Sequence, residues 1–232
     1  MTQTKETKNK ISYDLDLSNS IFKANLESLI GISRENVKLI AKKNDDFIKE
    51  ITEWDYNEHP VPDNYFHHKG ADLANIDWLL LNSIFIASYS YFEYHLYSLA
   101  RIVEDRIPDK VKIKDLNGKG IYQYRKYLHL IGKLTSAEKN SDWQNIDKFQ
   151  VVRNKLAHNG GMIITDPTKT KELEKDELFK FLSKHGVVME GSFGIIRIKD
   201  TKFIEAFDKL TGDISDNLTK EINEKYPDKR KK

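Results

Sequence analysis

Apolar positions recur at helical spacing along most of this chain. Ile21, Phe22, Leu26, Leu29, Ile30, Val37, Ile40, Phe47 and Ile51 fall in register for one helix. Ser18 or Ser20 would cap it, Gly31 would be its weak point, and it would end near Thr52. "WDYNEHPVPDNYFHHKG", residues 54–70, holds two prolines and closes on a glycine, which predicts a long loop. A second helix is expected from about Asp72 to Ile107. Trp78, Leu79, Leu80, Ile84, Phe85, Tyr91, Phe92, Leu96, Leu99 and Val103 make it apolar on nearly every side. A helix apolar all round is buried all round. One chain of this size has few helices to cover it, so a subunit interface is the simple explanation for the surplus.

After the loop "DKVKIKDLNGKG", the stretch "IYQYRKYLHLIGKL" predicts a shorter helix. "NSDWQNIDKFQVVRNKLAH" predicts another, capped by Ser141 or Asp142 and stopped by Asn159-Gly160-Gly161. A charged helix is expected from about Lys171 to Lys184. "GVVMEGSFGIIRIKD" alternates around Gly191 and reads as a β-hairpin. A last helix should span about Thr201 to Tyr226. The expected class is therefore all-α, a bundle of long helices with a small C-terminal hairpin. Residues 1–16 read as disordered, 17–226 as one domain, and 227–232 as a basic tail. No repeat or linker divides the chain.

Composition narrows the chemistry. There is no cysteine, which removes thiol catalysis, disulfides and cysteine-bound zinc. The polar N-terminus "MTQTKETKNK" lacks the apolar core of a signal peptide. The run "WLLLNSIFIASYSYFEYHLYSLA" is interrupted by Asn82, Ser88, Ser90, Glu93 and His95, so it reads as a buried helix and not a membrane span. A cytoplasmic protein without membrane contact is the expectation. The net charge of +2 does not point to bulk DNA binding, but it leaves room for a local basic cleft. No Gly-rich phosphate loop and no Gly-x-Ser-x-Gly element occurs. His59, His67 and His68, with Glu58, Asp63 and Asp72, lack a known metal-ligand spacing; a surface loop is the plainer reading.

The stretch "VVRNKLAHNGG" gathers the strongest candidates. Asn154 and His158 are four apart and share a helix face. Arg153 lies about 140° from His158 around the helix, within reach of its long side chain. His158 is in the last turn, where the negative end of the helix dipole attracts positive charge. A fixed cation, an amide and an imidazole on one turn can bind a phosphodiester, stabilise added negative charge and move a proton. A cationic last turn that merely offsets the dipole is the plain structural alternative. Asn82, Ser83, Ser90, Glu93, Tyr97 and Arg101 form a polar stripe on the second helix that must be satisfied somehow. Glu93 could orient Arg153 or His158, or form an internal ion pair. His95 is on another face and reads as a satisfied core histidine.

Arg153-Asn154-Lys155-Leu156-Ala157-His158 resembles the R-x4–6-H motif of the HEPN superfamily. Its members are small all-α domains of prokaryotic toxins, abortive-infection and antiviral proteins, and RNA-cleaving CRISPR effectors. The motif's place near a helix end, and the long preceding helix with "SYFEYHLYSLAR", agree with that likeness. The resemblance covers about residues 18–160 and leaves the hairpin and last helix outside. It implies a metal-independent endoribonuclease that needs no cofactor and works at a homodimer interface. His158 would be the general acid/base, Arg153 would hold the phosphate, and Asn154 would orient either. Ser90, Glu93 and Tyr97 would support the cleft, and Lys155 and Arg101 would bind RNA. An antitoxin or another defence-system partner would fit. The alternative is a non-catalytic helical module of the same kind, a sensor, scaffold or regulatory partner. A variant of it has a hydroxyl near the motif modified by a partner transferase.

Overall fold

The structure is a computed structural model that describes residues 15–54, 64–108 and 111–227. Six α-helices dominate these residues: α1 (Leu15–Glu53), α2 (Tyr65–Arg106), α3 (Gly120–Leu130), α4 (Ser141–His158), α5 (Glu177–Lys184) and α6 (Lys202–Lys225). One antiparallel hairpin joins β1 (Val188–Glu190) to β2 (Ile195–Arg197), with Met189 opposite Ile196. The all-α class with a small hairpin before the final helix is as expected. No described helix is long and apolar enough to cross a membrane.

Several boundaries differ from the sequence pattern, each for a physical reason. α2 begins at Tyr65, well before Asp72, and Gly70 lies inside it. Phe66 makes this early turn worth folding, because its ring packs on Phe47 and Trp54. The rest of the anticipated loop, residues 55–63, lies outside the described residues, as do residues 1–14 and 228–232. The cap of α4 is Asn140, not Ser141 or Asp142. Its side-chain oxygen accepts from the amides of Asp142 (3.0 Å) and Trp143 (3.1 Å). The span 171–184 is not one helix. Asp176 turns its carboxylate onto the Leu178 amide at 2.7 Å and takes extended backbone, so a 3-10 segment (Pro167–Lys175) ends there and α5 starts. Gly31 does not interrupt α1.

The chain forms two compact units. The first is built from the described residues within 15–22, 95–138 and 215–227, the second from those within 23–94 and 139–214. In the first, Leu96, Leu99 and Val103 of α2 are buried, as are Tyr127 and Leu128 of α3 and Leu218 and Ile222 of α6. Glu221 accepts from the Thr135 and Ser136 amides at 2.7 and 2.8 Å, which ties α6 to the turn after α3. In the second, Phe149 of α4 is the hub. Its ring lies 5.1–6.1 Å from those of Phe85, Phe181, Phe203 and Phe207. The start of α6 is therefore core to this unit, although the family likeness did not extend to it.

α2 is not buried on all sides. Within this chain Ile76, Leu79, Ser83, Ser90, Tyr91, Tyr94 and Tyr97 are exposed. Asn82, read as part of a polar stripe, is buried. It donates to the Ile196 carbonyl at 3.3 Å and accepts from the Ile198 amide at 3.2 Å, bracing β2.

Candidate functional site

α4 lies on the second unit's core through one stripe of large side chains. Trp143, Ile146, Phe149 and Val152 are buried. Three- and four-residue steps place Gln144, Asp147, Val151, Asn154 and His158 on the opposite stripe, and all five are exposed. The same pattern that seats the helix thus delivers Asn154 and His158 to solvent.

The end of the helix is fixed by glycine. Gly160 and Gly161 have φ of 57° and 79°, a region that costs other residues energy. The Lys155 carbonyl accepts from the Asn159 amide at 3.0 Å and the Gly161 amide at 2.9 Å. The Gly161 carbonyl then accepts from the Ile196 amide at 3.0 Å, pinning the turn to β2. His158 is the last helical residue, exposed and free of hydrogen bonds and ion pairs among the described residues.

Arg153, five residues earlier on α4, is half-buried. Its Nη1 donates to Asn154 Oδ1 at 3.0 Å. Its guanidinium lies over the Tyr89 ring, 5.6 Å from the centroid. Nε is buried with no acceptor, and the group forms no ion pair among the described residues. The arginine is held by a ring and an amide while its charge stays uncompensated. A carboxylate partner would have claimed the same donors.

Tyr89 is the residue the sequence reading missed. It is buried, and its hydroxyl has no hydrogen-bond partner among the described residues. Burial pushes that hydroxyl well above the usual tyrosine range; Glu93 raises it further, Arg153 draws it down, and Asp147 raises it. One phenol thus feels Glu93, Arg153 and Asp147 together. Glu93, half-buried one turn beyond Tyr89 on α2, makes no hydrogen bond or ion pair among the described residues, so it does not clamp Arg153 or His158 directly. The four-residue step from Tyr89 to Glu93 was visible in sequence, but the packing of α2 on α4 was not.

The other candidates have their own attachments. Lys155 is half-buried, and its ammonium donates to the Ile163 carbonyl at 2.7 Å, closing the turn after α4. Ser90 is exposed, with its hydroxyl bonded back to the Ile86 carbonyl at 2.9 Å. Tyr97 and Arg101 belong to the first unit. Tyr97 packs its ring 5.3 Å from that of Tyr124, and Arg101 pairs with Glu104. Among the described residues no group of three or more His, Asp or Glu side chains is placed to hold a metal ion. His67 and His68 are both exposed on α2, while Glu58, His59 and Asp63 lie outside the described residues.

No protein-family model, curated protein or solved structure matches this chain.

Proposed function

We propose that this protein is a metal-independent endoribonuclease of a toxin or anti-phage defence system, working as a homodimer in the cytoplasm. The observation that carries the reading is the α4 terminal turn. An exposed His158 follows, one turn on, an Asn154–Arg153 pair, and among the described residues neither the imidazole nor the guanidinium has a counter-ion. The likeness of Arg153–His158 to the HEPN motif points the same way.

The chemistry follows from the groups. A strand of RNA places a phosphodiester against Arg153, whose forked donors suit two phosphate oxygens. An imidazole takes the proton of the ribose 2′-OH as its oxygen bonds to phosphorus. The bond from phosphorus to the 5′-oxygen breaks, and that oxygen receives a proton. The products are a 2′,3′-cyclic phosphate and a 5′-OH. Arg153 meets the charge that builds on the phosphorane, and Asn154 fixes the guanidinium. DNA lacks the nucleophile and is not cut. Two motif turns facing one cleft supply two imidazoles, one to accept the proton and one to return it. Apolar side chains left exposed on the second unit favour such pairing: Ile76, Leu79, Tyr91 and Tyr94 on α2, and Val151 on α4.

Purified protein should cleave single-stranded RNA in EDTA and leave 2′,3′-cyclic phosphate ends. Sedimentation at micromolar concentration should give a dimer. Absence of cleavage, or cleavage only on adding a divalent metal, would refute the reading, and intact binding without cleavage would favour the non-catalytic module.

A further inference from the structure

We propose that the outer face of α3, in the first unit, is a binding platform for single-stranded nucleic acid. Charge is segregated there. Residues 111–138 carry six Lys and Arg against two Asp and Glu, where the whole chain has 38 against 36. From Leu116 to Ala137 there is no acidic residue at all. Lys119, Lys126 and Lys133 are exposed or half-exposed and form no ion pair among the described residues. A run of unneutralised lysines in a nearly neutral chain is a footprint for a polyanion.

An aromatic ring in the same place narrows the class. Tyr122 is 50% exposed. Four-residue spacing sets it beside Lys126 on the solvent side of α3, while Ile121 and Leu128 face the core. The ring is held in place from two sides. The Arg125 guanidinium lies 6.0 Å from its centroid. Gly118, with φ of 119°, passes under its edge, where a Cβ would come within 2.7 Å of Cδ1. A flat, pre-positioned ring flanked by lysines suits a base that stacks while its phosphates meet ammonium groups. A duplex hides its base faces, and an acidic peptide has none to stack.

This platform does not depend on the nuclease reading, and its test keeps the two apart. The probe is fluorescently labelled dT12, which has no 2′-OH and survives the proposed cleavage, with the full-length wild-type chain and anisotropy as readout. Tyr122→Leu should weaken dT12 binding about tenfold, the scale of one lost base stack, and Tyr122→Phe should stay within about twofold. Lys126→Gln should weaken it about threefold and lower the slope of log affinity against log salt by about 0.7. A 12-base-pair duplex should bind more weakly than dT12. The proposal is overturned if dT12 does not bind, or if Tyr122→Leu and Lys126→Gln bind it as wild type does. It is equally overturned if polyglutamate displaces dT12 as well as unlabelled dT12 does, or if Tyr122→Leu changes the sedimenting mass instead of the affinity. Loss of RNA cleavage with dT12 binding intact would sink the nuclease reading alone.

Discussion

His95 and His158 are the same residue placed under opposite conditions. In the first unit His95 is 3% exposed, stacked on Phe22 with ring centroids 4.3 Å apart. Its Nε2 lies 2.6 Å from Ser215 Oγ, whose hydroxyl donates to Asn19 Oδ1 at 2.5 Å. A hydroxyl has one proton to give, so Nε2 itself carries the proton and donates to Ser215. Burial lowers the His95 pKa to about 4, which keeps the ring neutral near pH 7. In the second unit His158 is exposed, with no hydrogen bond or ion pair among the described residues, five positions after Arg153. Burial spends the first histidine's hydrogen bonds on packing. Exposure at a helix end leaves the second accessible, as the proposed catalytic role requires.

The arginines repeat the contrast. Arg101 is paired with Glu104, whose other oxygen accepts from the Ile113 amide at 2.8 Å, and so belongs to a closed local network. Arg153 has a ring and an amide but, among the described residues, no anion. A large expected effect therefore separates them. Arg153→Ala should lower RNA cleavage about 10²- to 10³-fold, the scale of a lost transition-state donor, while Arg101→Ala leaves the chemical step within a few-fold. Equal losses in single-turnover rates would break the contrast.

Buried groups give the next effects, with opposite signs. Burial pushes the Asp208 carboxyl up to about 7; Ser88, near it but not aligned for a hydrogen bond, offsets part of this, and Glu205 adds to it. The folded state holds its proton more tightly than the unfolded state does. Its stabilising contribution is full below about pH 4 and is lost as pH rises through 7. Asp208→Asn should raise stability at pH 8 by on the order of 3 kcal/mol, with little change at pH 4. His95 works the other way. Its folded pKa is depressed, so its contribution is full above pH 6.5 and is lost as pH falls towards 4, by about 3 kcal/mol. The two partly cancel between pH 4 and 6.5. Urea titrations should show His95→Gln losing less stability than wild type on acidification, and Asp208→Asn losing more. Parallel curves for all three proteins would contradict both assignments.

A smaller effect tests how Arg153 is held. Tyr89→Phe removes a hydroxyl that has no partner and keeps the ring, so cleavage should stay within about twofold. Tyr89→Leu removes the ring beneath the guanidinium and should cost about threefold to tenfold, the range of an exposed to half-buried cation–π contact. Equal rates for Leu and Phe would show that the ring does not place Arg153.

Much of this was legible because helical spacing fixes which side chains share a face. The six helices and the hairpin follow from it, and so do the α4 stop at Gly160 and Gly161 and the shared exposure of Asn154 and His158. Local competition for backbone groups set the errors. Asn140 took the cap that Ser141 was expected to take, and Asp176 cut one helix into two pieces. Non-local packing was beyond reach. Nothing in the order of residues says that Tyr89 lies under Arg153, that Lys155 closes onto Ile163, or that Asn82 braces β2. The two compact units each combine distant segments, so no linker marks them.

The most direct test sets the two histidines side by side. Cleavage of single-stranded RNA in EDTA and thermal unfolding are measured for His158→Ala and His95→Gln. The account predicts that His158→Ala loses about 10²- to 10⁴-fold in rate, the scale of general acid–base catalysis, with an unchanged melting temperature. It predicts that His95→Gln melts earlier yet cleaves at nearly the wild-type rate per folded molecule. Cleavage by His158→Ala within twofold of wild type would contradict it.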